Sequence, residues 1–337
     1  FFSLVSTSLI ASDKLDTNNY SFFFKHLVYV LIGIIIIFIF SSFNTNQLFK
    51  YSIFLFFVSL FSLLLVPIIG IEVKGSKRWI DLFFLPRFQP IEVLKPFLII
   101  TLATILCSNK ANIFSKHLIS IFIIALISLL LIIQPDIGQT LLVLFSWTVL
   151  IFTSGINLYL LISIFLFGSL FLAYLIIFVP KFDYIQGRIF SFFNRETGSH
   201  NFQSDKAIDS ITSGGFFGKG MGEGTLKNSV PEAHTDYIIS VISEEFGVVA
   251  IMLILLLFLI FIYMVFKKIN FETNDKIKLI LIGSISLILM QATIHIGVNI
   301  RLFPTTGMTL PFLSYGGSSI VSTSILAGII LNLTKRK

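Results

Sequence analysis

Apolar runs long enough to cross a bilayer recur along this chain, and no other feature restricts its fold as strongly. A transmembrane helix needs about 20 residues to cross the hydrocarbon core. Runs of that order fall at residues 25–43, 51–71, 91–108, 117–133, 140–154, 157–180, 237–266, 278–301 and 311–334, with short polar breaks between them. A further apolar stretch at 1–11 reads as the remnant of another helix, so a cytoplasmic N-terminus and half of the first span are expected to precede Phe1. In lipid, each backbone N–H and C=O must be satisfied within its own segment, which makes helices the natural reading of such runs. The expected fold is an all-α polytopic membrane protein of ten transmembrane helices, the first truncated, forming a single domain over 1–337. A large extracytoplasmic loop, residues 181–236, joins the seventh helix to the eighth.

Composition supports lipid as the solvent. Apolar residues make up 55% of the chain and charged residues 12%, about half the charged fraction of a soluble domain. A single cysteine, Cys107, excludes an intrachain disulfide and any cysteine-cluster metal site. The net charge of +7 reports topology before it reports a nucleic-acid partner, because lysine and arginine collect in cytoplasmic loops. Lys50, Lys110, Lys116, Lys267, Lys268, Lys276, Lys278 and the terminal Lys335-Arg-Lys337 would lie inside if both ends are cytoplasmic. Two outer segments run against that rule. One holds Lys74, Lys77, Arg78 and Arg87, and the long loop holds Lys181, Arg188, Arg195, Lys206, Lys219 and Lys227. Cations on the disfavoured side point to an anionic ligand such as a lipid phosphate, or to anchorage on headgroups.

The remaining polar residues gather into islands at the outer helix ends. Ser213-Gly-Gly-Phe-Phe-Gly-Lys-Gly-Met-Gly-Glu-Gly224 lacks the Ser or Thr that follows a P-loop lysine. Its glycines instead let backbone approach a substrate or a neighbouring helix closely. Val230-Pro-Glu-Ala-His-Thr-Asp-Tyr237 brings Glu232, His234 and Asp236 to the start of the eighth helix. These groups suit acid/base chemistry or a divalent cation; equally, Thr235 and Asp236 would cap that helix. Glu244 and Glu245 lie at or inside the membrane edge, where carboxylates are costly unless paired or hydrated and read first as functional; pairing of one of them with Arg301 would make it structural. Glu92 and Lys95, three residues apart, form a natural ion pair on one helix face. Gln134-Pro-Asp-Ile-Gly-Gln139 presents Asp136 outward, and Phe303-Pro-Thr-Thr-Gly-Met-Thr-Leu-Pro311 leads into Ser314-Tyr-Gly-Gly-Ser-Ser319. The inner loops carry no comparable cluster. A transporter would show polar residues through the full depth of the bilayer, whereas a one-sided distribution suits an enzyme working at one leaflet.

In order, these islands resemble the family of shape, elongation, division and sporulation proteins, the FtsW and RodA polymerases. The matching segments begin with Gly75-Ser-Lys-Arg-Trp-Ile80, Gln89-Pro-Ile-Glu92 with Lys95, and Gln134-Pro-Asp-Ile-Gly138. They continue with Ser213-Gly-Gly-Phe-Phe-Gly-Lys-Gly220, Pro231-Glu-Ala-His-Thr-Asp236, Glu244-Glu-Phe-Gly247 and Leu310-Pro-Phe-Leu-Ser-Tyr-Gly-Gly-Ser-Ser319. Gly222-Glu-Gly224 and Gly307-Met-Thr-Leu-Pro311 are more similar to the division branch than to the elongation branch. Ile91, where the family usually has Ser, and Pro96 depart from the pattern.

The resemblance implies a peptidoglycan glycosyltransferase that polymerises lipid II, an undecaprenyl-pyrophosphate disaccharide-pentapeptide, during septal cell-wall synthesis. It implies a class B penicillin-binding protein as transpeptidase partner, other divisome membrane proteins, and a bacterial cytoplasmic membrane location with the site facing the periplasm. The catalytic aspartate of the family maps to Asp236, which would activate the acceptor hydroxyl as a base or through a divalent cation such as Mg or Mn. Lys77, Arg78 and Lys95 would meet the departing pyrophosphate. Asp136, Glu92, Glu232 and His234 would line or organise the cavity. The competing activities are a lipid II flippase, an elongation-type polymerase, or a scaffold that only recruits the transpeptidase.

Overall fold

The computed structural model describes residues 19–73, 76–82, 85–109, 112–193 and 199–335. The apolar stretch 1–11 lies outside them, as do Lys74, Gly75, Lys110, Arg195, Arg336 and Lys337. All nine other apolar runs are helices. They are α1 (Asn19–Ser42), α2 (Thr45–Ile69), α3 (Pro90–Leu106), α4 (Ile113–Ile133), α5 (Ile137–Thr153), α6 (Leu158–Phe178), α9 (Ile238–Phe271), α10 (Asp275–Asn299) and α11 (Gly317–Thr334). Seven are long and apolar enough to cross a membrane; α3 and α5, at 17 residues each, are shorter.

α3 is the centre of the bundle. It packs against α2, α4, α5, α10 and α11, and nearly its whole surface is buried. Its charged residues, Glu92 and Lys95, are therefore held inside protein rather than lipid, where a charged side chain would be costly. At the opposite extreme, α6 buries only Leu161; its apolar surface is left for lipid. Small residues let helices approach closely: a Cβ on Gly33 of α1 would lie 2.6 Å from Ser324 Oγ of α11. At the far end of that same contact, Asn332 Nδ2 donates to the carbonyls of Phe40, Ser41 and Phe43. These are carbonyls that the end of a helix leaves without intrahelical donors.

Three features were not legible in the apolar pattern. The connection after α2 is a three-stranded antiparallel sheet, β1 (Ile71–Val73), β2 (Ser76–Leu82) and β3 (Leu85–Phe88). The segment 181–236 carries its own helices, α7 (Asp183–Phe193) and α8 (Ser199–Gly214), before a short 3-10 turn at Leu226–Ser229. The last helix begins at Gly317 rather than residue 311, because Pro311, Phe312 at φ 66° and Gly316 hold the preceding chain out of helical geometry. The four connections at one end of the bundle meet: Arg78 bonds the 134–135 carbonyls, Arg188 bonds Thr305, and Ser314 bonds Thr235.

Candidate active site

The turn at 231–237 is the focus of that end. It is not the first turn of α9, since the helix starts at Ile238 with Tyr237 as its N-cap residue and no side-chain cap bond. Thr235 and Asp236 therefore do not cap it. Glu232 takes the left-handed region, φ 51°, and its carbonyl accepts from Thr235 N at 3.1 Å and Asp236 N at 3.0 Å. A glutamate in that region is strained by roughly 1–3 kcal/mol, so the surrounding contacts must hold it there. Tyr237 is almost completely buried; burial, with the neighbouring Asp236 charge adding to it, pushes its hydroxyl pKa to about 12.

Asp236 is half-buried, and its backbone is gripped from both sides. Asn299, fully buried at the end of α10, donates to Asp236 O at 3.0 Å and to His295 O at 2.8 Å, and accepts from Ser240 N at 3.3 Å. From the other side, Ser314 Oγ donates to Thr235 O at 2.6 Å and accepts from Leu310 N at 2.8 Å. Tyr315 N donates to His234 O at 3.0 Å, and the His234 and Tyr315 rings lie 6.0 Å apart. The Asp236 carboxylate faces Gly307, where a Cβ would stand 3.6 Å from Oδ2. No motif assigns this grip to Asn299 or Ser314. The available signal for Asn299 was an asparagine inside an apolar run.

A second polar group lies beneath. Glu92 Oε1 accepts from Lys95 Nζ at 2.8 Å and from Gln139 Nε2 at 2.6 Å, so the expected ion pair is present and buried. Lys95 also donates to Gln291 Oε1 at 3.3 Å, and Gln291 Nε2 donates to Thr309 O at 3.0 Å. Thr309 Oγ1 in turn donates to Ser319 Oγ at 2.7 Å. The pair thus reaches, through Gln291, the segment that carries Gly307 and Ser314. Asp136 does not present its side chain outward. It is buried, accepts from Gln89 Nε2 at 2.8 Å and from Gln139 N at 3.4 Å, and stands 3.9 Å from Arg78. Burial raises its carboxyl pKa, with Arg78 opposing. Arg78 braces the α4–α5 connection by donating to the carbonyls of Gln134 and Pro135. Lys77 stands exposed on β2, opposite Glu72 of β1.

The glycine-rich segment docks on the first turns of α9. Lys219 N and Gly220 N donate to the carbonyls of Glu244 and Glu245, while Val248 N and Val249 N donate to those of Gly215 and Phe216. Gly218 and Gly247 both have φ near +75°, and a Cβ on either would fall 2.2–2.3 Å from a facing carbonyl oxygen. Only glycine allows that approach. It places backbone against a neighbouring helix, one of the two uses expected of these residues. Glu244 accepts from Lys219 Nζ, Leu226 N, Lys227 N and Ser210 Oγ, and Glu245 pairs with buried Lys227. Arg301 pairs with Asp205 of α8 instead of with either glutamate; Lys219 and Lys227 are the cations at that pair.

An apolar cavity of about 260 Å³ opens between α5, α6, α7 and the 304–306 segment. Thr305 and Thr306 form part of its wall, and Gly307, the neighbour of Asp236, follows directly. Among the described residues no group of three His, Cys, Asp or Glu side chains could hold a metal ion. A divalent cation held by Asp236 alone, with substrate oxygens and water completing its shell, would need no such group.

The model of the FtsW, RodA and SpoVE family, described as a cell cycle protein, matches residues 1–337. A Coxiella burnetii protein named probable peptidoglycan glycosyltransferase FtsW is 32% identical over 345 residues, spanning 98% of this chain and 91% of the relative. The Caulobacter vibrioides protein of the same name is 30% identical over 300 residues, spanning 88% and 75%. Among solved structures, one reporting the structural coordination of polymerization and crosslinking by a peptidoglycan synthase complex is similar at TM-score 0.76. It is 25% identical, covering 99% of this chain and 96% of that one. The crystal structure of the Thermus thermophilus rod shape determining protein RodA is similar at TM-score 0.70 and 26% identity, covering 98% and 93%.

Proposed function

From the premise that the chain belongs to the FtsW, RodA and SpoVE family of cell cycle proteins, we propose that it is a peptidoglycan glycosyltransferase. It polymerises lipid II into glycan strands at the outer leaflet during septal wall synthesis, with its site on the periplasmic side. The observation that carries the reading is Asp236: a carboxylate on a turn gripped by Asn299 and Ser314, beside the wall of an apolar cavity.

In this reading Asp236 takes the proton from the acceptor sugar hydroxyl as that oxygen attacks the anomeric carbon of the donor. The carbon–oxygen bond to the diphosphate breaks, and its electron pair leaves with the diphosphate. A sugar hydroxyl is a weak nucleophile at neutral pH, and a placed base contributes roughly 10²- to 10⁴-fold. The leaving diphosphate needs cationic stabilisation rather than a second acid. Glu92, Lys95 and Asp136 organise the floor of the site through Gln291 and Gln89, Glu232 and His234 shape the catalytic turn, and Arg78 braces the α4–α5 connection. Lys77, exposed on the sheet, is available to lipid phosphate. The likeness to a synthase complex coordinating polymerization and crosslinking supports a crosslinking partner; in this reading it is a class B penicillin-binding protein, and other division proteins join the pair.

The test uses purified protein with its transpeptidase partner and lipid II in detergent, where no bilayer has to be crossed. Glycan chains form with the wild type, and Asp236→Ala lowers their rate by roughly 10²- to 10⁴-fold. Chains that persist with Asp236→Ala would remove Asp236 from the chemistry. No chains under any cation, together with lipid II crossing liposomes, would replace the polymerase by a flippase.

A further inference from the structure

Two separate segments meet at the Asp236 carboxylate, and one helix holds both of them. Gln291, His295 and Asn299 recur every fourth residue on α10 and so share one face; all three are buried. Each reaches a backbone carbonyl of another segment. Gln291 Nε2 donates to Thr309 O at 3.0 Å, His295 Nδ1 to Met308 O at 2.7 Å, and Asn299 Nδ2 to Asp236 O at 3.0 Å. His295 stands in the middle of the three. Its ring holds the residue after Gly307, and its own carbonyl accepts from Asn299 Nδ2 at 2.8 Å, so it touches both grips. The 306–308 segment also packs on α5, where a Cβ on Gly138 would lie 3.0 Å from Thr306 Cβ and 3.2 Å from Met308 Cγ. With its side chain against Gly138 and its carbonyl on His295, Met308 fixes where Gly307 stands. Gly307, at φ 70°, is the residue that faces Asp236 Oδ2.

The imidazole is explained by that bond and not by packing. A carbonyl only accepts, so Nδ1 carries a proton, while Nε2 is buried and finds no partner among the described residues. A buried nitrogen left unpaired lowers stability, and a leucine would fill similar space without it. We propose that His295 is a positioning residue of the transferase. By holding Met308 O it sets the gap between Gly307 and the Asp236 carboxylate, where the acceptor hydroxyl has to meet its base. The proposal rests on the polymerase reading and gives His295 neither a contact with substrate nor a proton to transfer.

The test separates the bond from the bulk. Asparagine places an amide donor close to where Nδ1 lies but leaves a void; leucine fills the void and has no donor. Purified protein with its transpeptidase partner is assayed on lipid II in detergent as wild type, His295→Asn and His295→Leu. Thermal unfolding and hydrogen exchange of the 307–310 amides are followed on the same proteins. His295→Leu lowers kcat roughly tenfold with KM within about twofold of wild type, and it speeds exchange at 307–310. His295→Asn keeps kcat within about threefold of wild type, although it melts no higher than His295→Leu. A merely structural role would instead rank activity in the order of melting. A His295→Leu protein with wild-type kcat overturns the proposal. So does one that loses only substrate affinity, or an equal loss of kcat in both variants. If the wild type makes no glycan at all, the polymerase reading fails and exchange decides alone. Faster exchange in His295→Leu than in the other two proteins keeps the grip, and equal exchange removes it.

Discussion

Glu244 and Asp236 stand eight residues apart on opposite sides of the start of α9, and the protein treats them in opposite ways. Glu244 is buried and its two oxygens accept from Ser210, Lys219, Leu226 and Lys227. It fastens the segment 214–229 to the helix, with Glu245 and Lys227 as a second bolt. At Asp236 the tertiary grip falls on the backbone, through Asn299 to its carbonyl and Ser314 to the carbonyl before it, while the half-buried carboxylate is turned to Gly307. A carboxylate enclosed by donors is stabilised as an anion and is a poor base. One whose peptide is gripped as well is kept in a fixed place on its turn. The side-chain bonds of Glu244 fasten a segment to the helix, whereas the backbone bonds at Asp236 fix the turn that carries it.

That contrast can be broken from the side of the fastener first. Lys227→Met should leave the Glu245 carboxylate buried beside Gly222 N without its cation, costing about 3–5 kcal/mol of stability. Thermal unfolding in detergent should show a large drop, mostly recovered in the double variant Lys227→Met/Glu245→Gln. A single variant that melts with the wild type would mean the buried pair does not hold the segment.

The next effect falls on the reagent. Ser314→Ala removes the bond to Thr235 O and the acceptor for Leu310 N, loosening one side of the catalytic turn. The turnover number on lipid II should fall roughly tenfold, about 1.4 kcal/mol in the barrier, with the Michaelis constant and melting temperature close to wild type. A loss confined to substrate affinity would contradict a positioning role.

Asp136 lies between the two cases and should give the smallest change. Burial raises its carboxyl pKa above the ordinary 3.8 although Arg78 opposes the shift. An acid whose pKa rises on folding lends its stability below the unfolded value and loses it as pH climbs through the folded one. Asp136→Asn keeps an acceptor for Gln89 and removes that loss. The two proteins should melt alike near pH 4, and the variant should gain roughly 2 °C by pH 8. If the variant melts lower at pH 8, the attraction of Arg78 outweighs burial.

The resemblance in the motifs maps the family's catalytic aspartate to Asp236, while the residues alone left a helix cap open. What the sequence by itself determined was local. Apolar runs became helices because backbone groups in lipid must pair within their own segment, and nine of the runs are helices here. Glu92 and Lys95 met because three residues are less than one turn, and Gly218 and Gly247 reserved a close backbone approach. The sheet at 71–88 and the helices inside 181–236 were hidden because short, half-polar elements carry little periodic signal. Only the tertiary structure decided which carboxylates are enclosed and which cations face the cavity. Glu245 has its lysine 18 residues away, Arg301 its aspartate 96 away, and Arg188 its carbonyl 117 away. Spacing along a chain says nothing about partners at such separations; helix packing brings them together, and with them the chemistry around Asp236.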